Sequence, residues 1–334
     1  MKPTVQWLRK SVQLLVLAFV LAVPFLMQYR VFLETNQIET IRTREKKSVA
    51  DRIVILLDER FRGSTAADLA SATENRIATL DKLRRIRGNH WSVQLFGVSL
   101  IDPLAVLESF YASGTLTKTL IIGLLIPVIA TLLLGRFFCS WICPAGLLFE
   151  ITDKIRTILN HRHAVHGLTF WRGNKYVLLV VGLAMSAIIG LPLLGYIYPP
   201  ALVGRESHRM IDFLFASSVS GIAITGATVV LVGIVLFEVF VSRRAWCRYF
   251  CPGGALYSAL GLRRVVRLQN QTDICTQCTD CIPACPMGLN PMKNNFGPEC
   301  DLCLECSSVC QSRSLSLKLA LTDHTVGTKQ STQS

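Results

Sequence analysis

The sequence has few charged residues and no cysteine before Cys139, and each shortage excludes a class of protein. Only 17% of the 334 residues are charged and 51% are hydrophobic, a balance too apolar for an ordinary soluble domain. The twelve cysteines lie in four clusters, not in the scattered pairs of a disulfide framework. The sequence has no Cys-x-x-Cys-His motif for c-type haem, no hydrolytic triad and no phosphate-binding loop. These observations indicate metal or redox chemistry on the reducing side of a membrane.

Four apolar segments are predicted to span that membrane. They lie at about residues 12–27, 119–134, 176–194 and 222–241, and with flanking residues each approaches the ~20 residues that cross a hydrocarbon core of ~30 Å. The net charge of +13 does not indicate nucleic-acid binding, because the basic residues cluster at the ends of these segments. By the positive-inside rule, both termini and every cysteine are cytoplasmic, and residues 195–216, with only Arg205 and Arg209 as basic residues, form a short loop outside. We therefore predict a multi-pass protein of the bacterial inner membrane with an uncleaved N-terminal anchor.

Residues 29–118 are predicted to form a polar helical domain on the extracytoplasmic side. Two stretches, at about 38–61 and 66–86, have helical character and are separated by Gly63-Ser64. We interpret this segment as a docking or spacer domain, with a sensor as the alternative. Asp102-Pro103 then predicts a helix start, with aspartate as N-cap and proline at the first helical position.

The strongest motif is a C-x2-C-x2-C-x3-C run that occurs twice between residues 275 and 310. Such runs bind iron–sulfur clusters, and in two-cluster ferredoxins the fourth cysteine of each run ligates the other cluster. The predicted ligands of one [4Fe–4S] cluster are Cys275, Cys278, Cys281 and Cys310. Those of the second are Cys300, Cys303, Cys306 and Cys285. Two structural zinc ions are the alternative, although zinc ribbons usually pair two C-x2-C knuckles.

The chain also contains an internal repeat. The motif Cys139-x3-Cys143-Pro144 recurs 108 residues later as Cys247-x3-Cys251-Pro252. Each copy follows a span that runs inward, so the repeat unit is a helix pair, and an axis along the membrane normal would bring both motifs together. The four thiols are interpreted as a further metal or cluster site, as redox dithiols or a docking site, or as simple packing.

Glu238, near the inner end of the fourth span, is a further candidate. An acid within the membrane is a functional candidate by default, here for proton handling beside a quinol. The alternative is an ion pair with Arg243 or Arg244.

The predicted fold is an all-α membrane protein with four transmembrane helices in two parallel pairs, followed by a small α+β ferredoxin-like domain that binds two [4Fe–4S] clusters. The predicted domains are an anchor (1–28), the outer domain (29–118), spans two to four with both C-x3-C-P motifs (119–255), the ferredoxin domain (256–320) and a disordered tail (321–334).

These features together resemble the NapH-type membrane ferredoxin family, which includes parts of NosR-like proteins and methylamine-utilisation ferredoxin-type proteins. The resemblance covers about residues 92–320 and includes the stretch from Phe96 to Pro103, both C-x3-C-P motifs and the C-terminal cysteine run. It implies a quinol dehydrogenase component that uses the quinone pool and delivers electrons to an extracytoplasmic c-type cytochrome or ferredoxin-type protein. The alternatives are a metal reductase for cofactor assembly and a redox-sensing membrane regulator.

Overall fold

The computed structural model describes residues 2–35, 37–43, 49–62, 87–89, 92–95, 98–158, 170–215, 224–294 and 296–319. This part of the chain is mostly helical, as predicted, with two small antiparallel sheets. The helices are α1 (Lys2–Glu34), α2 (Ile38–Thr43), α3 (Val49–Arg62), α4 (Pro103–Ser113), α5 (Lys118–Leu134), α6 (Phe137–Trp141), α7 (Pro144–Ile158), α8 (Asn174–Ile189), α9 (Pro199–Phe215), α10 (Gly226–Phe240), α11 (Ala245–Tyr249), α12 (Pro252–Leu260), α13 (Cys281–Ala284) and α14 (Glu305–Val309). The strands are β1 (Arg87–Asn89), β2 (Ser92–Leu95), β3 (Val98–Ile101), β4 (Val266–Asn270) and β5 (Leu315–Leu319).

Four of the helices are apolar and coincide with the four predicted spans. In α1, the stretch from Thr4 to Glu34 is long and apolar enough to cross a membrane by length and composition. The other three, α5, α8 and α10, have 15 to 17 residues. At ~1.5 Å per residue these are shorter than a hydrocarbon core of ~30 Å. The described residues thus contain one helix that meets the criterion for a span, and a crossing by the other three stays a prediction.

The outer segment differs in detail from the prediction. The stretch at 38–61 forms two helices, α2 and α3, and not one, while the helix predicted at 66–86 lies outside the described residues. Strands β1, β2 and β3 form an antiparallel sheet that was not predicted. Apolar side chains of α2 and α3 pack with the end of α1 and with Ile211 of α9, so the described helices of this segment are attached to the bundle.

Helices α4 and α9 both begin inside the bundle. Helix α4 starts at Asp102-Pro103 as predicted, because the Asp102 carboxylate accepts a hydrogen bond from the amide of Leu104 at 2.8 Å. Sequence reasoning assigned residues 195–216 to a short outer loop, but most of them form α9, which packs against α1 and α10. Its moderately polar sequence hides this helix from a search for apolar spans.

The C-terminal unit is small and contains both helices and strands, as predicted. Strands β4 and β5 pair antiparallel, with Asn270 opposite Leu315. Between them lie the one-turn helices α13 and α14, which pack against each other. Several residues in the cysteine loops, among them Thr279 and Leu304, have positive φ. These left-handed positions make the tight loops that bring closely spaced cysteines round a common point.

Candidate redox site

The first group of cysteines lies near the surface of the C-terminal unit. Cys275, Cys278, Cys281 and Cys310 line a single cavity. Cys310 comes from the second run, so the exchange of fourth cysteines expected from the sequence is present in the structure. Burial alone would raise the pKa of the Cys310 thiol, but hydrogen bonds from Ser314 and Ser312 lower its pKa to about 7. This thiol is therefore close to the ionised form that binds metal.

The second group is buried. Cys300, Cys303 and Cys306 are 6–8% exposed. Cys285, from the first run, packs into the same apolar cluster as Cys300 and Cys306. Burial, followed by the charges of Cys285 and Cys300, raises the pKa of Cys306, which is possible only where these sulfurs are neighbours. The charge of Cys300 also acts on Cys303, so these cysteines are neighbours, and their assignment to one cluster stays a prediction.

The four repeat cysteines also converge. Cys139, Cys143, Cys247 and Cys251 line one cavity, although the two pairs are 108 residues apart in the chain. Three helices begin at the wall of this cavity, each with proline at its first position: α7 at Pro144, α9 at Pro199 and α12 at Pro252. Proline is favoured there because the first helical N–H has no partner within the helix. We call this the four-cysteine cavity.

Two buried arginines belong to the four-cysteine cavity and are exchanged between the repeats. Arg136 of the first copy donates to the carbonyl of Cys247 at 3.0 Å, and it is fully buried. A methyl group on Gly254 would lie 2.8 Å from Arg136, and one on Gly146 would lie 3.8 Å from Arg244. Each arginine therefore reaches the other copy, as an approximate two-fold relation requires.

The polar groups around the cavity favour an anionic occupant. Within the described residues, Nε of Arg136, which lines the cavity, is buried without a hydrogen-bond partner. Such donors cost free energy unless something accepts from them. Burial raises the pKa of all four cysteine thiols, to about 12 for Cys251. The thiols are therefore neutral until a metal displaces their protons. A cluster with four thiolates, which carries net negative charge, fits both observations.

The geometry gives no support to single metal ions. In the part of the chain that the structure describes, no three Cys, His, Asp or Glu side chains are close enough to hold one ion. A tetrahedral zinc with Zn–S bonds of ~2.3 Å needs its sulfurs within ~4 Å of one another. A [4Fe–4S] cube holds its thiolates further apart, because irons and sulfides lie between them. The preference for clusters over zinc therefore rests on the cysteine runs of the sequence.

Glu238 lies beside the site but does not line the four-cysteine cavity. Its carboxylate accepts hydrogen bonds from the amides of Ala245 at 3.1 Å and Trp246 at 2.8 Å, at the start of α11. A carboxylate at a helix start is stabilised by the unpaired amides and the helix dipole. Glu238 thus positions the helix that carries Cys247, and its predicted proton-handling role stays a prediction.

The C-terminal unit is docked on the first repeat by its second cysteine group. Ser140 donates to the carbonyl of Asp301 at 2.5 Å, and Trp141 donates to that of Leu302 at 3.1 Å. Arg136 also forms an ion pair with Glu299 at 2.6 Å, to which Lys175 donates as well. The three cysteine groups therefore follow in order: the four-cysteine cavity, then the buried group, then the surface group.

Sequence reasoning missed the residues that join these groups. Arg136 and Arg244 stand three residues before the first cysteine of each copy, so their repetition was a signal that both belong to the site. Glu299 and Lys175 carried no such signal, since their partners are distant in the chain. Tyr198 was hidden because its segment was taken for an outer loop.

Comparison with known proteins extends this picture. The chain matches the protein-family model described as "4Fe-4S binding domain" twice, at residues 116–161 and 224–269. It is 34% identical to ferredoxin-type protein NapH of Escherichia coli over 67% of this chain and 77% of that protein. It is 29% identical to NapH of Haemophilus influenzae over 68% and 78%, respectively. It is 31% identical to methylamine utilization ferredoxin-type protein MauN of Methylobacillus flagellatus over 61% and 67%. No solved structure matches.

The position of the family matches bears on the site. Each matched region encloses one C-x3-C-P motif, and both end before Cys275. The repeat cysteines are thus the ones inside the regions described as binding a 4Fe–4S cluster, whereas the eight C-terminal cysteines rest on their own spacing and geometry.

Proposed function

Because the chain belongs to the NapH/MauN-type family of ferredoxin-type, membrane-associated iron–sulfur electron-transfer proteins, we propose that it is a quinol dehydrogenase component. In this proposal electrons from the quinone pool reach an extracytoplasmic c-type cytochrome or ferredoxin-type protein. Clusters of the [4Fe–4S] type act as one-electron carriers.

Three clusters are proposed, one in each cysteine group. Cys275, Cys278, Cys281 and Cys310 hold the surface cluster, and Cys300, Cys303, Cys306 and Cys285 hold the buried one. Cys139, Cys143, Cys247 and Cys251 hold the third. The unpaired buried Nε of Arg136, which lines this cavity, supports an anionic group there. This donor also stabilises added negative charge, which favours the reduced form of a carrier.

The observation that carries the proposal is the contact between the repeat and the buried group. Residues 140 and 141 hold the carbonyls of residues 301 and 302, so Cys300 and Cys303 lie directly on the first repeat. An electron that enters at the apolar bundle can then reach the C-terminal unit through this direct contact. If the four-cysteine cavity and the C-terminal groups had separate roles, they would not need to be docked together.

Four membrane spans are part of the same proposal. The outward faces of the short apolar helices are themselves apolar, with Ile122 on α5 68% exposed and Ile188 on α8 79% exposed. Apolar surface of this extent is typical of contact with lipid or another apolar partner. In this proposal α5, α8 and α10 are too short to cross the bilayer alone. Helices α4 and α9, which begin within the bundle, fill the rest of its thickness. Both termini and the C-terminal unit then lie in the cytoplasm.

The test is anaerobic purification in detergent, addition of a reduced quinol analogue, and electron paramagnetic resonance of the clusters. We expect reduction in the wild type and its loss in Cys139→Ser and Cys251→Ser. Cys278→Ser is the matched control, since it removes a ligand of the surface group only and leaves reduction of the other clusters intact. Reduction by a low-potential cytoplasmic donor but not by quinol would reject the proposal in favour of a metal reductase.

A further inference from the structure

A buried carboxylate lies one side chain away from the four-cysteine cavity and has no role in the function proposed so far. Asp102 is 5% exposed. Its oxygens accept hydrogen bonds from the Tyr198 hydroxyl at 2.8 Å and the Tyr257 hydroxyl at 3.1 Å, in addition to the amide of Leu104. All three partners are neutral, so no cation in direct contact offsets the cost of burying a charge.

The two tyrosines connect Asp102 to the cavity. Both line it, and Tyr198 packs in the same buried cluster as Cys251. A methyl group on Gly253, two residues after Cys251, would lie 2.4 Å from the Tyr198 ring. The tyrosines thus separate the carboxylate from the thiols by one side chain, which is near enough for charge at the cavity to act on Asp102 in a medium of low dielectric constant.

Two titratable groups contact this carboxylate directly: Tyr257 of α12 and Tyr198, which immediately precedes α9. The helices packed against α4 also contain Lys175 and Tyr176, at the start of α8, and α4 itself contains Glu108. The cavity contributes Arg136 and the cysteines.

A second buried carboxylate lies further along the same helix. Glu108 is 4% exposed and accepts from the Ser186 hydroxyl at 3.3 Å and from the amide of Leu194. Glu108 lies six residues from Asp102 on α4, and the hydrogen bonds of the described residues do not connect the two carboxylates. The two acids are therefore separate sites.

We propose that Asp102 takes up one proton when the four-cysteine centre gains an electron. This inference rests on the proposed function. The centre is reduced by one electron from the donor, and the carboxylate gains one proton to become a carboxylic acid. The added negative charge is then neutralised within the bundle, and the proton returns to solvent when the electron moves on.

Because the electron and the proton are coupled, the midpoint potential of the centre depends on pH. Reduction adds negative charge near Asp102 and favours its protonated form, so the pKa of Asp102 is higher when the centre is reduced than when it is oxidised. Between these two pKa values the midpoint potential of the centre falls as pH rises. Below the lower pKa the carboxyl group is protonated in both states, and above the higher pKa it is ionised in both, so the potential does not depend on pH there.

The experiment uses the whole cluster-loaded protein in detergent. Redox titrations at a series of pH values, followed by electron paramagnetic resonance, give the potential of the centre that Cys139→Ser abolishes. Infrared difference spectra between reduced and oxidised protein report directly on a carboxylic acid that forms on reduction. We expect a pH-dependent potential and a protonated-carboxyl band in the wild type, and the loss of both in Asp102→Asn.

Asp102→Asn keeps the helix cap, since asparagine also accepts from the amide of residue 104. Asp212→Asn, on the exposed side of α9, is the matched control and should retain both signals. Tyr257→Phe removes one donor to the carboxylate and should move the pH-dependent window upwards, which provides a second readout if Asp102→Asn does not fold.

The outcomes separate this inference from the proposed function. A centre that Cys139→Ser removes, but whose potential is independent of pH and shows no carboxyl band, would overturn the inference and leave the proposed function standing. If Cys139→Ser removes no cluster signal, the third cluster itself is rejected, and the inference fails with it.

Discussion

The four-cysteine cavity and the C-terminal cysteine groups, which we propose to bind the same kind of ligand, are built in opposite ways. In the C-terminal unit each group takes three cysteines from one run of seven residues, and left-handed residues such as Thr279 close the loop. Cys278 is exposed there, and hydroxyl groups lower the pKa of Cys310. In the cavity, two short motifs from distant parts of the chain meet at helix starts, with neutral thiols and buried arginines.

The difference shows two routes to an electron-transfer site. The C-terminal groups depend on local loop geometry, so both can form from one short segment, and a lowered thiol pKa occurs only in the surface group. The cavity depends on the packing of both repeats, because neither copy supplies more than two thiols. We therefore expect the cavity to respond to distant substitutions that leave the C-terminal groups unchanged.

The largest expected effect is loss of one centre without the others. Cys247→Ser removes a thiol that no neighbouring residue replaces, and iron content should fall by about one third if each group holds one cluster. Cys306→Ser should cause a similar loss but change a different spectroscopic signal. Iron analysis with electron paramagnetic resonance checks both. An unchanged iron content in Cys247→Ser would show that the cavity holds no cluster.

A substitution at Arg136 should separate the two regions from each other. Arg136→Gln leaves Glu299 and Lys175 buried without their third partner, and breaking a buried ion pair costs about 3–5 kcal/mol. Faster proteolysis near residue 265 at unchanged cluster content of the C-terminal unit would report undocking. Arg244→Gln is the matched comparison. It should have a smaller effect on docking, since the acid at ion-pair distance from Arg244 is Glu150, at 3.5 Å, whereas Arg244 acts on Glu305 of the C-terminal unit only at longer range.

A substitution where the two repeats are in close contact should lower stability by less than Arg136→Gln. A methyl group on Gly261 would lie 2.7 Å from the Cα atom of Gly135, and overpacking of this kind costs about 1–3 kcal/mol. Gly261→Ala should therefore lower the midpoint of thermal unfolding. Gly233→Ala is the control: its methyl group meets no atom within 4 Å, so it should be neutral or slightly stabilising. Equal effects of both substitutions would contradict the close contact.

The smallest effect concerns docking at low pH. Burial opposes ionisation of Glu299, but the charges of Arg136 and Lys175 prevail and lower its pKa. A lowered pKa in the folded state stabilises docking fully above the usual glutamate value of about 4.3, and this contribution is lost as pH falls through the folded-state pKa. Proteolysis of the docked unit should therefore accelerate in acid. In Glu299→Gln docking is weaker, and this acid-dependent component should disappear.

Much of the C-terminal unit follows from local sequence. The spacing of its eight cysteines predicts two groups and the exchange of Cys285 and Cys310, and the structure brings these cysteines together in that way. Such loops are predictable because their shape is set over a few residues. The start of α4 at Asp102-Pro103 was predictable for the same reason, since an N-cap acts within one turn.

Local sequence did not predict three other features: helix α9, the β1–β3 sheet, and the short lengths of α5, α8 and α10. Hydropathy identifies segments that can cross a membrane, but α9 is stabilised by packing against α1 and α10. The division of residues 38–61 into α2 and α3 likewise reflects contacts with the end of α1 and with α9. Local propensity is a weak guide wherever burial against a neighbour decides the conformation.

By itself, the sequence determined which residues are chemically able to hold iron, how many groups they form and that the chain is apolar enough to associate with a membrane. Cysteine spacing and composition are local properties that do not require a fold. Only the tertiary structure decided that the buried group docks on the first repeat, that Arg136 and Arg244 cross between the copies, and that Asp102 borders the cavity through Tyr198 and Tyr257. These contacts join residues up to 163 positions apart. Burial and mutual packing of whole helices bring them together, and no short stretch of sequence encodes that.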